Sequence, residues 1–300
     1  MHYSGGKEQS IMSPVRLQHK DFFDDINLPL KILRREPQEP YPVHSHDFSE
    51  LVIVFSGTGL HKIIDDEYPI GAGDTFVINP GQVHEYCELN DLVLINILFD
   101  LTILDIPIDD LASITGFHSL FTVEPAYRSE DRLYNHLKLK STQLDHVKNL
   151  VHDIENEIHF KQPGYIFFCK SIFMSLIGFL SRCYAGESMV YSNKILKIGK
   201  AISYIDENYS DNITINDLVS VTSLSENTIL RSFKKCFNCS PVHYINIKRI
   251  EKASWLLKNT DYPITDIAFI VGFSDSNYFT KKFKAIKHIT PKEYRKFYDN

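Results

Sequence analysis

The sequence predicts an α+β protein of two domains: an N-terminal β-barrel or sandwich followed by helices, and an all-α C-terminal domain. Short β-branched and aromatic runs separated by glycine turns fill much of the first hundred residues. Helical periodicity begins at Ser141, and no strand-like run follows residues 185–193. Charge is also divided: residues 192–300 hold 17 basic and 11 acidic side chains (+6), whereas the first 191 residues hold 15 and 27 (−12). This asymmetry predicts a polyanionic partner for the C-terminal part.

The overall composition, 43% hydrophobic and 23% charged, is typical of a globular protein and excludes a disordered or fibrous chain. Met1–Ser10 lacks the apolar core of a secretory signal, which predicts a cytoplasmic protein. The apolar run Ile166–Leu180 is interrupted by Lys170, which favours a buried or partner-facing helix over a membrane span. Five cysteines argue against a disulfide framework, and Cys236-x-x-Cys239 lacks a second pair to complete a zinc site.

Strand-like runs extend from Leu30 to about Phe99. The clearest runs are Leu51–Phe55, Thr75–Ile78 and Leu92–Ile95, and the turn signals between them are Ser56–Gly59, Gly71–Asp74 and Asn79–Gly81. Many short strands with glycine turns predict a small barrel or sandwich. After Ser141, an apolar stripe from Leu144 to Ile158 predicts an amphipathic helix, and a second, more apolar helix runs to about Tyr184.

Seven helices are predicted after residues 185–193, which have the composition of a linker. A short helix at Thr214–Val221, a turn and a helix capped by Ser225 have the layout of a helix-turn-helix. The layout recurs at Ile264–Ala268, followed by a helix that Ser274 or Asp275 caps. The recurrence at an offset of 50 residues indicates an internal duplication.

The outward faces of the two capped helices are polar and basic. The first face presents Glu226, Asn227, Thr228, Arg231, Lys234 and Lys235, and the second presents Ser276, Asn277, Thr280, Lys281, Lys282 and Lys284. Asn and Arg side chains near a helix N-terminus can read adenine and guanine edges in a major groove. Lysines further along can neutralise phosphates, which predicts phosphate contacts by Lys234, Lys235, Lys282 and Lys284. The alternative is that both faces are simply solvated.

A long series of residues at fixed spacing runs through this half. It comprises Leu218, Leu224, Ser225, Arg231, Phe233–Lys235, Ser240, Pro241, Tyr244, Arg249, Ala253, Leu256, Leu257, Ile264, Ile267, Ala268, Val271–Ser276, Tyr278, Phe279, Lys281, Phe283, Lys284, Thr290, Pro291, Tyr294 and Arg295. Over about 105 residues the series resembles the AraC/XylS family of transcription regulators. Three positions depart from the family pattern: Val219 replaces an alanine, and Asn238 and His288 replace glycines.

The resemblance implies which residues read bases. They are Asn227, Leu230 and Arg231 in the first helix, and Ser276, Asn277, Thr280 and Lys281 in the second. Leu230 can touch only a thymine methyl group, so specificity in the first unit is expected from Asn227 and Arg231. The two recognition helices are expected in successive major grooves, roughly 34 Å apart.

The N-terminal half contains a histidine-rich motif. His44, His46 and Glu50 lie at i, i+2 and i+6, which on one strand places all three side chains on the same side, and His84 follows later. Two or three imidazoles and a carboxylate can bind a divalent metal with an open position. The motif resembles that of the cupin barrel, although Gln38 stands where a glycine is usual.

Cupin-type sensor domains precede the DNA-binding domain in many AraC-type regulators, which implies a cupin-like barrel with an effector pocket at these four residues. A pocket without obligatory metal is favoured, so no cofactor is expected, although a divalent metal is possible in the barrel. Metal-assisted effector binding, catalysis and a purely structural histidine cluster are the alternatives.

The middle of the chain carries a further pattern, formed by Gly116, Phe117, Leu120, Phe121, Glu124, Pro125, Leu137 and Leu139. It resembles the rhamnose-responsive regulators of the same family, which implies a sugar effector and homodimerisation through the helices after the barrel. The Leu144–Ile158 stripe is the better candidate for the dimer contact. Its alternative is packing on the chain's own barrel.

The predicted domains are therefore 1–140, the effector-binding barrel; 141–190, a helical dimerisation region and linker; and 191–300, a DNA-binding domain with two helix-turn-helix units. The predicted function is a sequence-specific transcription regulator, an activator rather than an enzyme, controlled by a sugar. Its expected partners are promoter DNA, the effector, RNA polymerase and a second copy of the chain, with no membrane. The rivals are a cupin enzyme with a DNA-binding tail and a regulator that needs no ligand.

Overall fold

The computed structural model describes residues 14–63, 66–104, 106–107, 109–128, 136–187 and 193–298. Met1–Ser10 and residues 188–192 of the predicted linker lie outside them. The chain forms two compact units, Met1–Ile106 with Ser129–Phe173, and Pro107–Arg128 with Met174–Asn300. The domain limits predicted from the sequence stay predictions. The compact units group Pro107–Arg128 with the C-terminal helices, although in sequence this segment lies between strands of the N-terminal sheet.

The first unit is built on one sheet of eight strands. They are β1 (Val15–Leu17), β2 (Leu30–Arg35), β3 (Tyr41–His46), β4 (Ser49–Ile63), β5 (Asp66–Gly71), β6 (Asp74–Ile78), β7 (His84–Phe99) and β8 (Leu137–Lys138). The order is β1-β3-β7-β4-β6-β8, with β2 also on β7 and β5 also on β4. Alternating apolar residues of β4, β6 and β7, such as Val52, Phe76 and Leu94, form its core. The predicted β-rich N-terminal domain is confirmed.

One predicted turn is wrong. Strand β4 continues through Ser56–Gly59 and changes register against β7 at several points in this stretch. Gly57 has a φ of +73°, and a Cβ atom there would lie 2.0 Å from the Asp91 carbonyl oxygen. Because glycine has no Cβ, the strand bulges at this point instead of ending.

The helices follow in chain order. They are α1 (His19–Phe22), α2 (Leu101–Leu104), α3 (Asp109–Ala112), α4 (Thr115–His118), α5 (Glu124–Tyr127), α6 (Ser141–Phe160), α7 (Tyr165–Glu187), α8 (Asn193–Asn208), α9 (Ile215–Thr222), α10 (Glu226–Phe237), α11 (Pro241–Asn259), α12 (Ile264–Ile270), α13 (Ser276–Lys287) and α14 (Pro291–Tyr298). A π-helical turn, Ser119–Val123, joins α4 to α5. Within residues 193–298 the seven predicted helices are confirmed.

Helices α6 and α7 bury different amounts of their apolar surface. Val147, Val151 and Ile154 of α6 are fully buried within the single chain. Helix α7 is long and apolar enough to cross a membrane by length and composition, and 39% of its apolar window is buried. The Phe173 ring packs 5.2 Å from the Phe99 ring. Core helices of soluble proteins can be equally long and apolar, and the Phe173 contact is of the kind predicted for the apolar run.

The C-terminal helices enclose apolar cores that follow the duplicated pattern. Every predicted inward residue of α8 is buried: Ile195, Ile198, Ile202 and Ile205. Phe279 and Phe283 are fully buried in the cluster that α11, α12 and α13 form. Gly272 has a φ of +94°, and a Cβ there would lie 2.3 Å from the Ser210 carbonyl oxygen, so only glycine fits this turn.

Candidate nucleic-acid interface and effector pocket

Helix α10 is the second helix of the first helix-turn-helix. The hydroxyl oxygen of Ser225 accepts the hydrogen bond of the Thr228 amide, 3.3 Å away, which caps the helix as predicted. Ile229 and Phe233 are buried, so the opposite face points outward. The residues predicted to read bases on this face, Asn227, Leu230 and Arg231, are all exposed.

Helix α13 occupies the equivalent place in the second unit. The Asp275 carboxylate accepts the hydrogen bond of the Tyr278 amide at 2.6 Å, which settles the cap between the two predicted candidates. Asn277 and Lys281 are exposed, while Ser276 and Thr280 are half-buried. The Thr280 hydroxyl donates to the Ser276 carbonyl oxygen at 2.9 Å, so base reading by Thr280 requires this hydroxyl to rotate or to act as an acceptor.

Asn238 and His288, which replace the family's glycines, stand at the C-terminal ends of the two recognition helices. Asn238 follows α10 with a φ of +54°, and His288 follows α13 with a φ of +63°. Both therefore adopt the left-handed conformation that glycine usually supplies at a helix C-terminus. The turn geometry is preserved, at a steric cost that is greater for histidine than for asparagine.

The four lysines predicted to contact phosphate differ in their surroundings. Lys234 and Lys284 are exposed, and Lys282 lies 5.2 Å from the centre of the Tyr278 ring. Lys235 is half-buried, with its ammonium group 4.1 Å from the centre of the Tyr127 ring. Sequence reasoning could not distinguish Lys235 from Lys234, because Tyr127 lies more than one hundred positions earlier in the chain.

In the N-terminal compact unit, the strands bring the histidine motif together in a way that differs from the prediction. Glu50 does not share a strand with His44 and His46, because β3 ends at His46 and β4 starts at Ser49. Both strands pair with β7, and His44 stands opposite His84 in register. Glu50 stands opposite Leu98, far along β7 from His84, yet the side-chain distances show that the four residues converge from three strands, as expected for a pocket. The predicted single-strand geometry is wrong.

The four side chains form a compact buried cluster. One carboxylate oxygen of Glu50 lies 3.0 Å from His46 Nε2 and 3.8 Å from His84 Nε2. The rings of His44 and His84 have centres 4.2 Å apart. Burial lowers the pKa of His84 to about 4 and also lowers that of His44, so both imidazoles are neutral at pH 7. Burial alone would raise the pKa of Glu50, but the hydrogen bond with His46 and the nearby imidazoles bring it below the ordinary value.

The Nδ1 atoms of the three histidines all face backbone carbonyl oxygens. His44 faces Pro42 at 2.9 Å, His46 faces Phe48 at 2.6 Å and His84 faces Gln82 at 3.2 Å. For the neutral rings of His44 and His84, these contacts place the proton on Nδ1 and leave the Nε2 lone pair available as a ligand. Ligand atoms of His44, Glu50 and His84 lie within 4.8 Å of one another. The donor set therefore fits a divalent transition metal, with the carbonyls as the outer partners that such imidazoles usually have.

His44, His46 and Glu50 line a cavity to which His84 does not contribute, and further polar side chains that the sequence did not predict line it too. They are Arg35, Gln38, Tyr41, Tyr86 and Asn96. Asn96 carried a signal that could have been used, since it is a lone polar residue inside the apolar run of β7. The cavity measures about 40 Å³, well below the roughly 300–1,000 Å³ of ordinary ligand pockets.

Comparisons with known proteins match both halves of the chain. A family model for the AraC-like ligand binding domain matches residues 30–155, and one for a helix-turn-helix domain matches residues 218–296. The "HTH-type transcriptional activator RhaR" of Mannheimia succiniciproducens is 29% identical over 94% of this chain and 96% of its own. The activator RhaS of an Enterobacter species is 28% identical over 93% of this chain and 96% of its own. The C-terminal domain of the response regulator yesN of Fusobacterium nucleatum is 41% identical over 32% of this chain and 93% of its own, with a TM-score of 0.30.

The sheet-rich domain with its polar cavity and the paired helix-turn-helix units define a DNA-binding transcription regulator with a ligand-binding domain. Double-stranded DNA and a small-molecule effector are the partners that these two domains serve. The chain belongs to the AraC/XylS family, and it is similar to the activators RhaR and RhaS.

Proposed function

We propose that this chain is a cytoplasmic transcriptional activator, not an enzyme, whose effector is a sugar bound in the N-terminal barrel. The observation that carries the proposal is the convergence of imidazoles, a carboxylate and amides on one cavity inside a ligand-binding domain. Such groups can hydrogen-bond the several hydroxyls of a sugar. The relatives' printed names and the Gly116–Pro125 pattern both point to rhamnose as the first sugar to test.

Effector binding requires a change in the barrel. A cavity of about 40 Å³ holds little more than water, so the lining side chains must move to admit a sugar. Tyr41, a lining side chain that is 38% exposed, is proposed to move first. A sugar that binds only the opened form shifts the protein towards that form, which is the coupling that regulation needs.

Calorimetric titration with rhamnose and related sugars tests this part. Binding should disappear in Asn96→Ala and Glu50→Gln and persist in Lys148→Ala, which alters an exposed residue of α6. No heat from any sugar across a broad panel would favour a regulator that acts without a ligand. Turnover of a sugar by the metal-loaded protein would instead favour the enzyme.

The DNA-reading role rests on the exposed faces of α10 and α13. Asn227, Leu230 and Arg231 are proposed to read one major groove, and Ser276, Asn277, Thr280 and Lys281 the next. Lys234, Lys282 and Lys284 are proposed to contact phosphates. Transcription from the chain's own promoter with purified RNA polymerase tests activation. A sugar-dependent rise supports it, and a fall would make the protein a repressor.

A divalent metal is the second candidate ligand of the barrel. The Nε2 atoms of His46 and His84 both face the Glu50 carboxylate, and a cation among them would relieve the repulsion between the His84 lone pair and the carboxylate. When bound, the ion would supply a Lewis-acid contact for sugar hydroxyls. Metal content after purification tests this. One equivalent in the wild type and none in Glu50→Gln support it, whereas less than a tenth of an equivalent leaves the sugar pocket metal-free.

The proposed assembly is a homodimer. Because the centre of the α6 stripe is already covered within one chain, only its margins, such as Leu144 and Ile158, are left half-buried for a partner. This burial supports the alternative, packing on the chain's own domain. Light scattering on the wild type and on Leu144→Asp distinguishes the two. A dimer that the substitution leaves intact would exclude the stripe as the contact.

A further inference from the structure

The segment Thr115–Arg128 belongs in sequence to the N-terminal half but packs as part of the DNA-binding unit. It consists of three short helical pieces, yet almost all of its residues are buried. Two glycines allow the close approach. A Cβ on Gly199 of α8 would lie 2.3 Å from Ser119 Oγ, and a Cβ on Gly116 would lie 1.9 Å from the Ser181 carbonyl oxygen. The segment is therefore seated against α8 and the end of α7 at backbone distance.

Buried polar contacts fix the segment to the same helices. His118 Nε2 lies 3.0 Å from a carboxylate oxygen of Asp206 in α8, and both side chains are 6% exposed. The other oxygen of Asp206 accepts the Tyr244 hydroxyl of α11 at 3.3 Å and lies 3.5 Å from Lys248 Nζ. The segment is thus connected through Asp206 to the long helix that both helix-turn-helix units share.

At its end the segment reaches the first recognition helix. The Tyr127 hydroxyl lies 2.8 Å from Ser232 Oγ, and the Ser232 hydroxyl donates to the Thr228 carbonyl oxygen at 2.7 Å. The Ser232 hydroxyl has one proton, which it donates to the Thr228 carbonyl oxygen, so the Tyr127 hydroxyl must be the donor to Ser232 Oγ. Ser232 is fully buried and directly follows Arg231, which points to the outer face.

The ring of Tyr127 makes a second set of contacts. The ammonium groups of Lys235 in α10 and Lys194 in α8 lie 4.1 Å and 4.5 Å from its centre. Both distances are within the range of cation–π attraction. One aromatic side chain therefore contacts the last turn of the recognition helix and connects it to α8.

We propose that Tyr127 is a positioning residue for DNA recognition: it fixes the orientation of α10 through its contacts with Ser232 and Lys235. The segment Thr115–Arg128, which in sequence belongs to the N-terminal half, thereby supports the first recognition helix. This inference depends on DNA reading by α10 and not on a sugar effector. A failed sugar titration therefore leaves it standing.

The test uses the full-length protein and a pool of random double-stranded DNA, from which the wild type first selects its preferred site. Selection is then repeated with Tyr127→Leu, which removes the hydroxyl and the ring, and with Tyr127→Phe, which keeps the ring. Tyr127→Leu should lose base preference in the half-site that Arg231→Ala also weakens, and keep it in the half-site that depends on Lys281. Its affinity for the wild-type site should fall about tenfold, and Tyr127→Phe should fall two- to threefold.

A merely structural role gives other results. If Tyr127→Leu is folded by circular dichroism and selects the same site with unchanged affinity, the proposal is wrong. Higher affinity would also overturn it, because the segment would then restrain the helix instead of orienting it. If Tyr127→Leu does not fold, Ser232→Ala replaces it as the test. That variant should show the same half-site selective loss, and equal weakening at both half-sites would contradict the proposal.

Discussion

The two helix-turn-helix units share a pattern but differ in what supports their recognition helices. Three features recur 50 positions apart. They are the cap (Ser225 and Asp275), the closing turn (Asn238 and His288) and the following proline (Pro241 and Pro291). Helix α13 packs on α11, α12 and α14, all elements of the C-terminal half. Helix α10 is additionally hydrogen-bonded to Tyr127, a residue from the middle of the chain.

One duplicated motif can therefore serve two purposes. The second unit is stabilised by its own aromatic core, in which the Phe283 ring packs 5.7 Å from Phe279 and 5.4 Å from Tyr294. We expect these contacts within the C-terminal half to set its orientation. The first unit is open to influence from the segment that contacts it. We expect the second helix-turn-helix unit to bind DNA with constant affinity. We expect the affinity of the first unit to depend on the segment that contacts it.

The largest effect should come from equivalent core positions. Phe233→Ala and Phe283→Ala each remove a fully buried ring, and each should lower the free energy of unfolding by about 3–5 kcal/mol. Urea unfolding followed by tyrosine fluorescence and circular dichroism measures both. A loss below about 1 kcal/mol at either position would show that its cavity is filled by movement of the neighbours and that the two cores are not equivalent.

The next effect concerns base reading. Arg231→Ala and Lys281→Ala should each weaken specific DNA binding by about 1–3 kcal/mol, with relaxed preference confined to the half-site of the altered helix. Fluorescence anisotropy with site variants measures this. The matched control is Lys258→Ala, an exposed lysine of α11 far in sequence from either recognition helix. If both variants weaken specific and random DNA equally, these side chains contact phosphates and do not read bases.

Many features of the two helix-turn-helix units could be predicted from the sequence, because their signals are local. The cap residues, the apolar spacing of α8 and α13 and the offset of the duplication all depend on residues within one or two turns of each other. The strands of β4, β6 and β7 were found for the same reason. The predicted turn at Ser56–Gly59 failed because glycine signals a positive φ without saying whether the chain turns or bulges.

What could not be predicted depends on pairing between distant residues. The shared strand for His44, His46 and Glu50 failed because a bend at Asp47–Phe48 separates β3 from β4. The contact of Tyr127 with Ser232 spans 105 positions. No periodicity within either helix reports it. Lys235 was therefore grouped with the other basic residues of its helix face.

A smaller effect distinguishes lysines that look alike in sequence. Lys284→Ala should reduce the slope of log affinity against log salt by about one, since an exposed phosphate contact releases counterions. Lys235→Ala should leave the slope unchanged, because the ammonium group lies against Tyr127. Titrations from about 50 to about 200 mM salt measure both slopes. Equal reductions would place Lys235 on the DNA backbone and break the distinction between the two units.

The smallest effect tests the turns that close the recognition helices. Both Asn238 and His288 adopt positive φ, but asparagine tolerates this conformation and histidine does so less readily. His288→Gly should therefore raise the free energy of unfolding by about 0.5–1 kcal/mol, after the greater entropy of glycine in the unfolded chain is offset. Asn238→Gly should change it by only a few tenths of that, about 0.2 kcal/mol. Thermal unfolding with both single variants measures the difference. If glycine stabilises position 238 as much as position 288, the steric cost does not depend on the side chain, and the closing turns of the two units are energetically the same.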